Sequence, residues 1–307
     1  MKNITSIGEV LFDINGEKKY LGGAPFNFIY HIINILGKGN FISRIGNDEL
    51  GDEIISFFHQ NNLSTKYLQT DEKYPTGTAI VNLDENKIPY WQIHGDCAYD
   101  YIELNENILD LIDNHTECLY YGILSQRNSV TRNTIQTLFS KKIIYFCDLN
   151  IRQNFYNREL IENSLNASNI LKLNVEEYNL ITQLLFNNPE KDEKILTRKI
   201  MNQYSIDLIC ITKGDSGSSI YTIQDESHYL EHNDNIIDTV GAGDAFAAIL
   251  CIGYLMKIDL KKLNELCNNF AEKICKIHGA LPKDKTIYND INKELENAKS
   301  GSIYPTL

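Results

Sequence analysis

Short apolar runs alternate with longer segments of helical periodicity along most of the chain. The run CLYYGIL (118–124) precedes SVTRNTIQTLFS, and IIYFCDLN (143–150) is followed shortly by NRELIENSLNAS. A third run, DLICITKG (207–214), leads into a turn and a further strand-like stretch. Strands separated by helix-length segments indicate βαβ units. The pattern therefore predicts an α/β protein with a central, mostly parallel sheet that carries helices on both faces.

Two stretches break this alternation and have the pattern of β-hairpins instead. Residues 9–22 and 75–95 each contain two alternating strands, separated by the turn residues NGEK and DENK. Ligands bind at the carboxyl ends of the strands in an open α/β sheet, so a small sheet placed there would act as a lid. We expect one domain over residues 1–307, with a lid formed by insertions at about 9–22 and 75–97.

The charge balance limits the classes of partner. Lys and Arg total 29 against 41 Asp and Glu, which gives a formal net charge of -12. A surface of this sign repels phosphate backbones, so neither nucleic acid nor an anionic membrane is an expected partner. The longest apolar run, around 245–256, is too short to cross a bilayer, and the first residues lack the pattern of a signal peptide.

The cysteines and histidines carry no recognisable site of their own. The seven cysteines form no C-x-x-C pair and no zinc-like cluster with histidine, and most lie inside apolar strings. This is typical of buried free thiols in a reducing compartment, so we expect a soluble, cytoplasmic protein. The seven histidines are scattered, which gives a hydrolase triad no support, and the sequence has no P-loop motif.

The stretch DTVGAGDAF (238–246) joins a glycine turn to an apolar, helix-like run. Gly241 and Gly243 would present bare N–H groups at a helix start, which is an anion-binding arrangement. Asp244 already lies in that first turn, so the expected anion is an external group such as a phosphoryl. Asp244 could then accept the proton of a hydroxyl nucleophile while the N–H groups neutralise charge. Ordinary helix capping with a favourable N-terminal aspartate is the alternative interpretation.

Further motifs follow in a fixed order along the chain. They are LGGAPFNFIYHI (21–32), RIGNDELGDEI (44–54), DLNIR (148–152), LKLNVEEYNLI (171–181) and ITKGDSGS (211–218). Together with DTVGAGDAF the set resembles the ribokinase-like (PfkB) carbohydrate kinase family, most closely its fructokinase-like branch. The resemblance covers nearly all 307 residues. It implies a ribokinase-like fold and a kinase that transfers the γ-phosphate of ATP to a small sugar.

The resemblance also implies roles for the reacting centre and the sugar site. Asp244 would be the catalytic base, and the anion hole would be lined by Gly241, Ala242 and Gly243. The residues implied for sugar binding are Asp13, Gly23, Asn27 and Arg152. A short carboxylate can accept hydrogen bonds from two neighbouring hydroxyls, which suits a sugar. An aspartate on a surface strand and an arginine in a surface salt bridge are the alternatives.

Metal and nucleotide positions are implied in the same way. Asn174 and Glu177 would order the waters around Mg²⁺, with a simple N-cap pattern as the alternative. Asp238 and Thr239 resemble the segment whose backbone holds K⁺ in this family. The residues implied on the nucleotide side are Thr212, Gly214 and Asn268.

D-Fructose, converted to fructose 6-phosphate, is the substrate that the resemblance favours. Ribose, a sugar acid such as 2-keto-3-deoxygluconate, or a nucleoside stays open as the acceptor. A nucleoside needs an apolar slot for its base, and a sugar acid needs a cation near its carboxylate. A non-catalytic sugar-binding protein on the same fold is a further alternative. The family also suggests a homodimer through apposed lids, which the aromatic-rich hairpin 88–101 would permit.

Overall fold

The computed structural model describes residues 2–83, 89–186, 190–230 and 236–300. The strands within these ranges are β1 (Asn3–Ile7), β2 (Leu11–Asn15), β3 (Lys18–Gly22), β4 (Asn40–Gly46), β5 (Leu68–Asp71), β6 (Gly77–Leu83), β7 (Pro89–Ile93), β8 (Thr116–Gly122), β9 (Ile144–Asp148), β10 (Ile170–Asn174), β11 (Leu208–Thr212), β12 (Ser218–Tyr221) and β13 (Glu226–Tyr229). The α-helices are α1 (Ala24–Leu36), α2 (Glu49–Gln60), α3 (Glu106–Asp110), α4 (Ser129–Leu138), α5 (Arg158–Ala167), α6 (Val175–Leu185), α7 (Glu193–Tyr204), α8 (Ala242–Leu255), α9 (Leu260–Cys275) and α10 (Ile287–Ser300).

Nine of these strands form one large sheet, in the order β13-β12-β11-β10-β9-β8-β1-β4-β5. Every neighbouring pair from β11 through β5 is parallel, whereas β12 and β13 extend the β11 edge as an antiparallel ribbon. The central strands are buried along almost their whole length because helices cover both faces. The predicted mostly parallel sheet with helices on both faces is confirmed.

Two apolar cores lie on opposite faces of the large sheet. On one face α1, α8, α9 and α10 pack around side chains such as Phe28, Ile249 and Phe270. On the other face α4, α5, α6 and α7 pack around a second set that includes Ile135 and Ile181. All seven cysteines are free thiols, and six of them are buried. None of the helices in the described ranges combines the length and apolarity needed to span a bilayer.

A separate four-stranded sheet has the order β3-β2-β6-β7. The two predicted hairpins supply its strands, and β2 joins them through parallel pairing with β6. The turn between β2 and β3 falls at Gly16, where φ is +59°. The predicted turn DENK lies outside the described residues, as does the side chain of Trp91. The predicted small sheet is therefore confirmed in its strands.

The topology brings the carboxyl ends of several strands to one edge of the large sheet. Strand β9 ends at Asp148, β10 ends at Asn174 and β11 ends at Thr212. The chain leaves β1 at Ile7 and enters the small sheet at Leu11. The small sheet is thus attached at the edge of the large sheet where β9, β10 and β11 end, and the residues at these strand ends belong to the sequence motifs.

Candidate active site

A cavity of about 520 Å³ lies at this edge, between the large sheet and the small sheet. Eleven of the fifteen residues singled out from the sequence line it: Asp13, Gly23, Asn27, Arg152, Asn174, Glu177, Thr212, Thr239, Gly241, Gly243 and Asp244. The other four, Ala242, Gly214, Asp238 and Asn268, are not among the lining residues. Motifs that are more than two hundred residues apart in the sequence therefore converge on one site.

The first turn of α8 forms part of the cavity wall. Gly241 caps the helix in the left-handed conformation at φ +80°, and no side chain caps the first N–H groups. A Cβ at Gly241 would lie 2.3 Å from Ala280 Cβ, so only glycine fits this approach. N–H groups in the first turn have no partner within their own helix. This helix start has the features of an anion site.

Asp244 lies in the same turn and contacts helix α1. Its Oδ2 accepts a hydrogen bond from Asn27 Nδ2 at 2.8 Å. Burial raises the pKa of Asp244 to about 7, while the Asn27 hydrogen bond opposes that rise and the charge of Asp148 adds to it. A carboxylate that titrates near neutral pH is well matched to accept a proton from a hydroxyl.

A buried ion pair beneath Asp244 was not anticipated from the sequence. Lys172 Nζ lies 2.9 Å from Asp148 Oδ2, and Tyr120 donates its hydroxyl to the same oxygen at 3.0 Å. Lys172 also lies beside the first turn of α8, since a Cβ on Gly243 would be 3.5 Å from its Nζ. Nearby Asp148, Glu177 and Asp244 raise the pKa of Lys172 against the effect of its burial. The ammonium is therefore held charged at the anion site.

A signal for this pair was present in the sequence. Asp148 lies in the motif DLNIR, and Lys172 lies in LKLNVEEYNLI. A lysine inside a buried apolar strand needs an oppositely charged or hydrogen-bonding partner. The partner depends on strand order and register, which place Lys172 directly opposite Asp148.

The small sheet contributes the opposite wall of the cavity. Asp13 lies on β2, and burial raises its pKa to about 6 while the positive charge of Arg152 opposes the rise. Gly22 leaves room for this carboxylate, because a Cβ there would lie 2.8 Å from Asp13 Oδ2. Glu9, just before the small sheet, is buried and accepts a hydrogen bond from Ser125 Oγ. The rest of this wall is apolar and consists of Leu11, Ala79, Ile93 and Leu124.

Gly23 permits the close approach that begins α1. Its φ is +109°, and a Cβ there would lie 2.5 Å from the carbonyl oxygen of Glu9. The carbonyl of Gly23 accepts the N–H of Asn27 at 2.8 Å, which is the first helical hydrogen bond. The segment that leads into the small sheet and the start of α1 thus lie in close contact.

Comparison with known proteins identifies the family. The description "pfkB family carbohydrate kinase" matches residues 2–286. The chain belongs to the pfkB family of carbohydrate kinases. It is therefore a sugar kinase by family, as the motifs predicted.

Three relatives illustrate the range of similarity within the family. The protein described as "Putative sugar kinase PH1459" from Pyrococcus horikoshii is 28% identical over 300 residues, covering 90% of this chain and 91% of its own. Its crystal structure has a TM-score of 0.80 at 24% identity, covering 96% and 99% of the two chains. The fructokinase of Escherichia coli is 25% identical over 248 residues, or 76% of each chain. A Vibrio cholerae fructokinase double mutant, solved in fructose, ADP and potassium ion bound form, has a TM-score of 0.75 at 19% identity, covering 94% and 98%. The predicted ribokinase-like fold is confirmed.

Asn174 and Glu177 form a reciprocal capping box at the start of α6, as the alternative interpretation expected. Asn174 Oδ1 accepts the N–H of Glu177 at 2.8 Å, and Glu177 Oε2 accepts the N–H of Asn174 at 2.9 Å. Glu177 Oε1 accepts a further N–H from Ile151 at 2.7 Å. Burial and the charge of Asp148 raise the pKa of Glu177. Both residues still line the cavity of this pfkB kinase, so their Mg²⁺ role stays a prediction.

The residues predicted on the nucleotide side are spread over a wider area. Thr212 lines the cavity, and Gly214 follows it in a turn with φ +55°. Asn268 is buried on α9, and its Nδ2 donates to Ser218 Oγ at 2.8 Å rather than facing the cavity. The packing of α9 on β12 engages its amide, and its adenine-side role stays a prediction.

Asp238 organises the loop that leads into α8. Its Oδ1 accepts the N–H of Val240 at 3.0 Å, and its Oδ2 accepts the N–H of Gly279 at 2.9 Å. Both carboxylate oxygens thus hold backbone, while the neighbouring Thr239 lines the cavity. A K⁺ site here would use backbone carbonyls, and it stays a prediction.

The donor chemistry of the cavity fits a hydrated Mg²⁺. No group of three or more His, Cys, Asp or Glu among the described residues is arranged to hold a metal directly. Mg²⁺ usually keeps several waters and takes only one or two carboxylates together with substrate phosphates. Oxygen donors of Asn174 and Glu177 at the cavity wall would suit such an ion.

Proposed function

We propose that this pfkB kinase transfers the γ-phosphoryl group of ATP to a primary hydroxyl of a small sugar, with D-fructose to fructose 6-phosphate as the leading reaction. One observation carries the proposal: Asp244, whose pKa burial raises to about 7, lies in the uncapped first turn of α8 beside the ammonium of Lys172. A proton acceptor and an anion site thus share one cavity. The bound forms of the PH1459 and Vibrio cholerae structures, with ATP and with fructose and ADP, support the same substrates here.

In the proposed reaction the sugar hydroxyl gives its proton to Asp244 as its oxygen bonds to the γ-phosphorus. The bond from the γ-phosphorus to the bridging oxygen breaks, and ADP leaves with that electron pair. First-turn N–H groups of Gly243 and Asp244, together with Lys172, would offset the charge on the transferring group. Positioning of the two substrates supplies much of the remaining rate.

Asp13 and Asn27 are the proposed sugar contacts, with Gly23 allowing the sugar to approach the backbone. Mg²⁺ bound with ATP would neutralise charge on its β- and γ-phosphates, and Asn174 and Glu177 would hold its waters. K⁺ activation through the backbone of Asp238 and Thr239 belongs to the same proposal, as does closure of the small sheet over the substrates.

A sugar acid is the second candidate substrate, and Arg152 favours it. Arg152 lines the cavity, and its guanidinium forms no ion pair with a carboxylate among the described residues. A carboxylate on the substrate would supply the missing partner. A nucleoside is tested as well, because its base needs an apolar slot and one wall of the cavity is apolar.

The test measures ADP formation with Mg²⁺, with and without K⁺, against fructose, ribose, glucose, 2-keto-3-deoxygluconate and adenosine. We expect the strongest sugar-dependent turnover with fructose and almost none in Asp244→Asn. Asp113→Asn is the matched control, because Asp113 is an exposed aspartate paired with Lys141. Turnover with another acceptor would change the substrate and keep the chemistry. Sugar binding by calorimetry with no turnover for any acceptor would favour a binding protein.

We also propose that two copies pair through their small sheets in the cytoplasm. Ile80 is 39% exposed on the face of the small sheet opposite the cavity-lining Ala79, which would suit an apolar contact. Free thiols at all seven cysteines are in keeping with a reducing compartment. Light scattering of the parent and of Ile80→Arg tests the pairing, since a stable dimer should become a monomer in the variant.

A further inference from the structure

The two polar atoms of the Asn27 side chain have different surroundings. Nδ2 donates to Asp244 Oδ2 at 2.8 Å, whereas Oδ1 has no hydrogen-bond partner among the described residues. The residue is only 4% exposed, so this oxygen is buried at the cavity wall. A buried acceptor without a donor is unfavourable, because it has lost its hydrogen bonds to water. The unpaired oxygen therefore points to a donor that comes with a ligand.

Asn27 is held in place independently of any ligand. It lies in the first turn of α1, where its N–H bonds the carbonyl of Gly23. The next residue, Phe28, stacks on Tyr120 with ring centroids 3.9 Å apart. Helices α1 and α8 also pack against each other, so the contact between Asn27 and Asp244 joins the first turns of two packed helices.

We infer that Asn27, already proposed as a sugar contact, is also a positioning residue for the base, because its Nδ2 fixes the Asp244 carboxylate. The inference rests on the proposed kinase function, and it extends that function by linking sugar occupancy to orientation of the base. Asp244 Oδ2 is occupied by Asn27, which leaves Oδ1 to take the proton of the reacting hydroxyl. A sugar that satisfies Asn27 would thus be aligned on an already oriented carboxylate.

Other charged or titratable groups that face Asp244 come from the large sheet and the segment after β9. They are Tyr120, Asp148, Arg152 and Lys172. The Asn27 hydrogen bond and the positive charges of Lys172 and Arg152 favour the ionised carboxylate, whereas Asp148 disfavours it. Removal of Asn27 takes away the only side-chain hydrogen bond that Asp244 accepts among the described residues. The pKa of Asp244 should then rise.

The first experiment compares the pH profile of kcat for the parent, Asn27→Ala and Asn27→Asp from about pH 5 to about pH 9. We expect kcat of Asn27→Ala to fall by about tenfold to a hundredfold because the base loses its orientation. The acid limb of its profile should move to higher pH. Asn27→Asp should move that limb further, because a second carboxylate beside Asp244 opposes ionisation.

The matched control is Asn34→Ala on the same helix. Asn34 Nδ2 donates to the carbonyl of Tyr30 and does not line the cavity, so its loss should leave kcat and the pH profile near the parent's. Thermal melting of each variant checks that it is folded. A rise in KM for the sugar alone, with the parent's kcat and acid limb, would overturn the inference and leave Asn27 as a simple substrate contact.

A second measurement does not depend on kinase activity. Aspartate carboxyl carbons labelled with ¹³C can be titrated by NMR, with Asp244 assigned by the signal missing from Asp244→Asn. We expect the Asp244 carboxyl to titrate at higher pH in Asn27→Ala than in the parent. An unchanged titration would refute the positioning role. Absence of turnover in the parent would refute the proposed function instead, so the two failures are distinguishable.

Discussion

The carboxylates of the cavity differ in how they are hydrogen-bonded. Those of Asp148 and Asp244 lie on the floor of the cavity with Asn27 and Lys172, and that of Asp13 lies on the small sheet above. On the floor, Asp244 accepts from Asn27, and Asp148 is paired with Lys172 at 2.9 Å. On the small sheet, the carboxylate of Asp13 receives no hydrogen bond from any described residue. The hydrogen bonds and the ion pair on the floor are therefore formed before a substrate binds. The carboxylate oxygens of Asp13 remain available to accept hydrogen bonds from a substrate. The floor is therefore suited to catalysis of phosphoryl transfer, and the small sheet is suited to binding the sugar.

The difference predicts how substitutions divide between rate and binding. Preorganised groups on the floor should affect kcat, because they act on the charge and the proton in the transition state. Groups on the small sheet should affect KM for the sugar, because they contact hydroxyls in both ground and transition states.

The largest expected effect is that of Asp244→Asn on turnover. Loss of a general base typically lowers the rate by about 10²–10⁴, and an amide cannot accept the hydroxyl proton. Steady-state kinetics with the best acceptor of the panel measures the loss, and calorimetry should show that sugar still binds. A variant that kept most of its kcat would remove Asp244 from the mechanism.

The buried ion pair should give the next largest effect, on stability as well as on rate. Lys172→Met leaves Asp148 buried and unpaired, with its side chain only 2% exposed. Breaking such a pair from one side costs about 3–5 kcal/mol. Chemical denaturation should therefore show a large loss in the free energy of unfolding.

The double variant K172M/D148N separates structure from chemistry. Stability should largely return, because the amide introduced at position 148 carries no charge and Tyr120 can still donate to it. Turnover should not return if the ammonium serves the phosphoryl group. Recovery of both would show that Lys172 acts only as a structural partner of Asp148.

A smaller effect, and a different one, is expected from Asp13→Asn on the small sheet. Hydrogen bonds to a charged group contribute about 1.5–3 kcal/mol, so KM for the sugar should rise by about tenfold to a hundredfold. The kcat value should change much less than in the floor variants. Asn82→Ala is the control, because Asn82 pairs with Gln92 on the opposite face of the same sheet. A kcat loss as deep as that of Asp244→Asn would abolish the contrast between the two regions.

Most of the fold and part of the candidate site could be predicted from the sequence. The turn glycines 241 and 243 before an apolar run were enough to place a helix start with an acidic residue in its first turn. Alternating strands around short turns were enough for the small sheet. These are local patterns, because a turn or a hairpin is determined by residues that are close in sequence.

Contacts that depend on the register of strand pairing or on the packing of helices could not be predicted from the sequence. Lys172 lies opposite Asp148 only because β9 and β10 pair in that register. Asn268 was predicted on the adenine side of the nucleotide site, and the bond of its amide to Ser218 follows from the packing of α9 on β12. Asn27 was predicted as a sugar contact, and its bond to Asp244 follows from the packing of two helices that are far apart in sequence. None of these partners could be read from spacing alone.

The last predicted effect concerns the pH dependence of the stability of the floor. Burial raises the pKa of Asp244 from 3.8 to about 7 in the folded protein. In the unfolded chain the group ionises near its ordinary value of about 3.9. The folded state therefore binds this proton more tightly. Below about pH 4 the carboxyl is protonated in both states and costs nothing, and the cost of ionising it in the folded state grows until about pH 7.

Asp244→Asn should accordingly melt above the parent at pH 8, and the gain should shrink toward pH 5. Each kcal/mol recovered corresponds to about 2–4 °C in Tm for a chain of this general size. Asp113→Asn, a change at an exposed aspartate, should show no such pH-dependent gain. Thermal melts across this range decide the matter. A variant that is less stable than the parent at pH 8 would mean that Asp244 stabilises the fold, and that the floor carries no stability cost for its reactive carboxylate.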